Sequence, residues 1–132
     1  MNTLRRCVLV VDDEALIAQT WCIHMEMIGV EVCGVAATAE AAIALAKQHR
    51  PAVILMDVRL KGQADGIDAA IAIREHLSSR IIFITGSREP ETMARIQLGD
   101  PASILIKPVA DHQLYAAVRE GLEPKEAVSA TP

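Results

Sequence analysis

Cys7-Val8-Leu9-Val10-Val11-Asp12-Asp13-Glu14 is a run of five apolar residues, three of them β-branched, that stops abruptly on three acids. The run is too short for a helix and shows no apolar-polar alternation, so it reads as a strand buried on both faces, the kind that parallel sheets covered by helices contain. Beyond it the period changes. Ile17, Trp21 and Ile28 recur at helical spacing over residues 14–28, and Gly29 stands where a helix C-terminal glycine belongs. The alternation then repeats, with residues 31–36 as a strand, residues 38–49 as an Ala-rich helix N-capped by Thr38, and residues 53–56 as a strand. After Asp57 a loop marked by Gly62 and Gly66 leads to a helix over 67–77, a strand over 80–84 and a more polar helix over 88–98. A strand over 104–106 and a helix over 109–122 follow, and residues 123–132 form a polar tail.

Five strand-then-helix units imply right-handed crossovers and a parallel sheet with helices on both faces. The 132 residues suit one domain over residues 1–122. Hydrophobic residues make up 52% of the chain but aromatics only 2%, so Ala, Val, Ile, Leu and Met must fill the core. Trp21 is a core residue of the first helix, although the apolar residues around it, Cys22, Ile23, Met25 and Met27, exceed one buried stripe and leave some for a partner.

A net charge of -4 and the lack of any Lys/Arg run exclude a field that gathers polyanions, so direct nucleic-acid binding is not expected. Cys7, Cys22 and Cys33 are odd in number and irregularly spaced, which favours buried free thiols and a reduced cytoplasm. The apolar run after Arg5 and Arg6 is interrupted too soon to make a signal peptide or a membrane span. His24, His49, His76 and His112 lie on expected helices without metal-ligand spacing, as surface or half-buried residues.

Sheets of this type carry their sites at the C-terminal ends of the strands. Asp12 and Asp13 follow the first strand, Asp57 the third, Thr85 the fourth and Lys107 the fifth, so all five face one crevice. Carboxylates forced together there repel one another unless a divalent cation neutralises them, and an all-oxygen ligand set selects Mg2+, or Mn2+, over zinc. With the cation offsetting the charge, Asp57 can act as a nucleophile towards phosphorus. Lys107 then offers a point charge to Asp57 and to a phosphoryl oxygen, the Thr85 hydroxyl can donate to another, and the amides of Val58, Gly86 and Ser87 complete the cradle. Taken singly the motifs are ordinary, since Asp12-Asp13-Glu14 also suits a helix N-terminus, Thr85-Gly86 a turn and Lys107 a solvated side chain. Their shared edge makes the argument.

The acidic pair Asp12-Asp13, Asp57 closing Val53-Ile54-Leu55-Met56, Thr85-Gly86 and Lys107-Pro108 together resemble the receiver domain of bacterial two-component response regulators, from about Arg6 to Leu122. The resemblance implies a flavodoxin-like (βα)5 doubly wound fold with strand order 2-1-3-4-5, here as a single-domain, stand-alone regulator. It implies that Asp57 is the phosphoacceptor, that Asp13, Asp57 and the Arg59 carbonyl ligate the cation while Asp12 assists through water, and that Thr85 and Lys107 bind the phosphoryl group. It also implies a cis Lys107-Pro108 bond, a histidine kinase or phosphotransfer protein as donor docking on the first helix, and an unidentified downstream protein. Catalysis would be confined to the chain's own phosphorylation and slow dephosphorylation. Ile104 departs from the pattern, because the family commonly carries a switch aromatic there. Thr85 and the loop over residues 86–90 are therefore expected to carry most of any conformational change. Two other functions remain open: an interaction module that signals without phosphate, suggested by Ile104 and Arg59, and a Mg-dependent phosphohydrolase. Hydrolases resembling the haloacid type need a second Asp two residues after the nucleophile, where this chain has Arg59.

Overall fold

The computed structural model of the chain describes residues 3–123. Residues 124–132 of the expected tail lie outside the described residues. Strands and helices alternate as β1 (Arg5–Val11), α1 (Ala15–Met27), β2 (Val32–Ala36), α2 (Ala39–His49), β3 (Pro51–Asp57), α3 (Gly66–Arg74), β4 (Arg80–Thr85), α4 (Pro90–Leu98), β5 (Ser103–Ile106) and α5 (Asp111–Leu122). The five strands form one parallel sheet in the order β2-β1-β3-β4-β5, as expected.

The continuous apolar runs follow from the strand period of two, because alternate residues feed opposite cores. Leu9, Val11, Ile54, Met56, Ile81 and Phe83 face α2, α3 and Ile96 of α4. Val8, Val10, Val53, Leu55, Ile82 and Ile84 face Ala18, Trp21 and Met25 of α1 and Leu114, Val118 and Leu122 of α5. Trp21 is buried as the pattern required, whereas Leu16, Ile23 and Met27 lie on the solvent side of α1. Cys7 is buried, while Cys22 and Cys33 are only half-buried, and all three are free thiols.

Local chemistry sets the element ends. Thr38 caps α2 by accepting a hydrogen bond from the Ala41 amide at 3.1 Å. Gly29, with φ of 75°, takes the left-handed conformation that ends α1. The helix expected over 88–98 begins at Pro90, because a proline lacks an amide hydrogen and fits the first helical position. The helix expected over 67–77 ends at Arg74, yet Leu77 remains buried and its amide still reaches the Ile73 carbonyl at 2.9 Å. The apolar period ran through this closing turn and therefore overstated the helix.

Candidate functional site

Strand register assembles the site. Val11 is level with Met56, Asp57 with Ile84, and Thr85 with Ile106. Asp12, Asp57, Thr85 and Lys107 therefore leave neighbouring strands at similar heights, and Lys107 is tied there by its amide on the Thr85 carbonyl at 2.8 Å. Asp12, Asp57 and Thr85 are buried while Asp13 is half-buried. One carboxylate oxygen from each of Asp12, Asp13 and Asp57 lies within 4.8 Å of the others. The Lys107 ammonium donates to Asp57 Oδ1 at 3.2 Å. The Lys107-Pro108 bond is cis, as the resemblance implied.

The electrostatics show a site with more negative charge than its own residues neutralise. Burial, followed by the Asp12 charge, pushes the Asp57 carboxyl up to about 6 against the opposing pull of Lys107. Burial likewise raises Asp12, although the Glu14 amide, which donates to Asp12 Oδ1 at 2.8 Å, works the other way. Asp12 Oδ2 is buried and has no hydrogen-bond partner. An orphaned carboxylate oxygen beside two further carboxylates is what a small, hard divalent cation satisfies, so the donor set fits Mg2+.

Two of the three expected cradle amides are engaged. Val58 donates to the Ile84 carbonyl at 3.2 Å, and Ser87 donates to Thr85 Oγ1 at 3.0 Å. Both would have to exchange partners to hold a phosphoryl oxygen, whereas Gly86 sits in an exposed turn. Arg59 is exposed in the loop between β3 and α3. Ile104 is half-buried and pairs across the strands with Phe83, a ring fully enclosed in the core.

Three residues beside the site escaped the sequence reading. Asp65 and Asp68 cap α3 reciprocally, each carboxylate accepting the other's amide at 2.9 Å, and Arg95 of α4 grips both carboxylates. The spacing of two acids three apart before a helix was a usable signal for the cap, but nothing in the sequence marked Arg95 as their partner.

A family profile described as response regulator receiver domain matches residues 8–119. The chain belongs to this family. Among curated relatives, this receiver domain is 31% identical over 113 residues to the transcriptional regulatory protein PdtaR of Mycobacterium tuberculosis, covering 86% of this chain and 55% of PdtaR. It is also 31% identical over 116 residues to the phyllosphere-induced regulator PhyR of Methylorubrum extorquens, covering 87% of this chain and 43% of PhyR. The receiver domain thus spans about half the length of the curated relatives it matches. In three dimensions it superposes with a TM-score of 0.81 on the signal receiver domain of a modulated diguanylate cyclase from Desulfovibrio desulfuricans, at 36% identity and covering 87% of this chain and 91% of that one. Membership places the receiver domain in two-component signalling, with an acidic pocket of the kind in which the family binds Mg2+.

Proposed function

We propose that this receiver domain is a phosphorylation switch in which Asp57 takes a phosphoryl group from the phosphohistidine of a histidine kinase or phosphotransfer protein. An Asp57 carboxylate oxygen forms the new O–P bond as the N–P bond breaks, and the leaving imidazole nitrogen keeps the bonding electrons. Asp13, Asp57 and the Arg59 carbonyl would hold Mg2+ with help from Asp12, and the cation bound there would offset the repulsion between the carboxylate and the incoming anion. Lys107 holds one Asp57 oxygen in place and neutralises part of the developing charge, while Thr85 turns its hydroxyl from Ser87 towards the phosphoryl group.

The observation that carries the reading is the meeting of Asp12, Asp13 and Asp57 around an unpartnered buried carboxylate oxygen, with Lys107 already on Asp57. At neutral pH a carboxyl with a pKa of about 6 is mostly ionised, as a nucleophile must be. The only chemistry assigned to the chain is its own phosphorylation and the slow loss of that phosphate, because Arg59 occupies the place of a hydrolase's second Asp. Leu16, Ile23 and Met27 on the open side of α1 offer an apolar surface for the phosphodonor, and an unidentified protein receives the signal. Among the described residues no helix is long and apolar enough to cross a membrane. Intact mass after treatment with a small phosphodonor tests the proposal. A wild-type chain that stays unlabelled with every donor, a cognate kinase included, would leave the phosphate-independent module, the reading that Ile104 favours.

The same carboxylates predict a pH-dependent response to Mg2+. The Asp57 carboxyl is raised from its ordinary 3.8 to about 6, so folding favours its protonated form. That contribution to stability is complete below about pH 4 and lost as pH rises through about 6. Metal-free protein at neutral pH therefore carries an unfavourable ionised Asp57, which Mg2+ relieves. Thermal melts should show Tm rising by about 5 °C on saturation with Mg2+ near pH 7.5, with little change near pH 5. An equal rise at both pH values would mean that the cation binds elsewhere.

A further inference from the structure

Helix α4 is attached to the body of the protein by Ile96, which is buried in the core, by Met93, which packs against the same core, and by polar contacts with α3. Ile96 is its one fully buried residue, Leu98 is exposed, and its N-cap residue Glu89 makes no side-chain cap. At its far end Arg74 of α3 donates to the carbonyls of Gly99 and Asp100 and pairs with the Asp100 carboxylate at 3.3 Å. Gly99 lies so close to the core that a Cβ there would come within 2.9 Å of Phe83 and 3.2 Å of Ala70. That end is tied to α3 and packed closely on the core.

Nearer the site the attachment is ionic. Arg95 Nη1 meets Asp65 Oδ2 at 2.8 Å, while Nη2 reaches Asp65 Oδ1 at 3.4 Å and Asp68 Oδ1 at 3.3 Å. This is the planar fork of a guanidinium laid on a carboxylate, the geometry that lysine cannot reproduce. The Asp65 carboxylate also caps α3, so it cannot turn away from Arg95 without uncapping the helix. Burial pushes the Asp65 carboxyl up, but the Arg95 hydrogen bond, the Asp68 amide and the Arg95 charge outweigh it and hold it below its ordinary range. Behind Asp65, the Gly66 amide donates to the Val58 carbonyl at 2.8 Å, one residue after Asp57. Asp57, Val58, Gly66, Asp65 and Arg95 thus form an unbroken covalent and hydrogen-bonded path from the acidic pocket to α4. A swinging ring is missing, because Ile104 is aliphatic and Phe83 is locked in the core, and a second path runs from Thr85 through Ser87 to Thr92 of α4.

We propose that Arg95 is a positioning residue whose clamp on Asp65 and Asp68 holds α4 in its resting place, and that release of this clamp, driven from Asp57 through Val58 and Gly66, frees α4 to move. The inference rests on the reading of Asp57 as phosphoacceptor, and its test separates the two. Hydrogen exchange over residues 90–98 is measured for wild type, Arg95→Gln, Arg95→Lys and Asp65→Asn, each with and without Mg2+ and fluoroberyllate, a mimic of an aspartyl phosphate. Asparagine caps a helix as well as aspartate does, so Asp65→Asn removes the charge and spares α3.

Resting Arg95→Gln and Asp65→Asn should exchange about five-fold faster across α4 than wild type, the loss of roughly one exposed but bidentate ion pair. Wild type should reach a similar rate when fluoroberyllate binds, and the two variants should gain little more. Arg95→Lys should fall between. High salt should speed exchange in resting wild type and leave Arg95→Gln unchanged. Resting exchange in Arg95→Gln equal to wild type, or an equal fluoroberyllate increment in both, would overturn the clamp. So would a wild-type α4 that ignores fluoroberyllate while Asp57 accepts phosphate. If Asp57 accepts neither group, the phosphoacceptor reading fails instead, and the resting comparison alone decides whether Arg95 clamps α4.

Discussion

Incubated with acetyl phosphate and Mg2+, the wild-type chain should gain one phosphoryl group, and Asp57→Asn should gain none. The difference is all or none because an amide has no ionised oxygen to attack phosphorus, while its size and shape leave the pocket intact. Chelating the cation should abolish the adduct in wild type as well, since the carboxylates of Asp12, Asp13 and Asp57 would then oppose the incoming anion unrelieved. Lys107→Ala should slow labelling by about 10²–10³-fold, the usual consequence of removing one preorganised charge from a developing anion. Intact mass spectrometry against time reads all of these. A phosphoryl adduct that persists in Asp57→Asn would remove Asp57 from the mechanism, and undiminished labelling in Lys107→Ala would reduce its contact with Asp57 to a structural ion pair.

The second large effect is expected at Gly66. A Cβ built there collides with the Asp57 carbonyl oxygen and approaches Met56 Cγ to 3.0 Å. The first obstacle is the backbone of Asp57, held in register with Ile84 of β4, and the Gly66 amide is itself bound to Val58. Gly66→Ala must therefore lift the start of α3 from the end of β3, at a cost of about 3 kcal/mol or more, a large fraction of an ordinary domain's stability. Because the displaced strand end is the one that carries Asp57, labelling should fall along with the urea midpoint. Gly29→Ala is the contrast. Nothing lies within 4 Å of the added methyl there, so only the left-handed φ of 75° is penalised, and the cost should stay near 1 kcal/mol. Equal midpoints for the two variants would mean that α3 yields to the extra methyl without strain.

Much of this architecture was legible because strands and helices alternate without interruption. Apolar runs such as Val53 to Met56 are readable when both faces of a strand are buried, and the site could be placed because parallel strands in a doubly wound sheet bring their C-terminal ends to one edge. Reading failed where local pattern and tertiary packing diverge. Leu77 kept the apolar period but lies in a closing turn, and Arg95 gave no sign that it would meet Asp65 and Asp68. Hydrogen-bond partners of this kind depend on which helix packs against which, and no residue type announces that.

By itself the sequence determined the order of the elements, the buried strands and the identity of the groups at their ends, because hydrophobic period and residue chemistry are local properties. Only the tertiary structure decided how those groups meet. It brought the carboxylates of Asp12, Asp13 and Asp57 within 4.8 Å of one another and left Asp12 Oδ2 without a partner. It set Gly66 against the Asp57 carbonyl, and it laid Arg95 across Asp65 and Asp68, residues 30 and 27 positions away in the chain. Such contacts come from strand register and from the packing of α4 on α3, and the free energy of long-range packing leaves no periodic trace in the sequence that produces it.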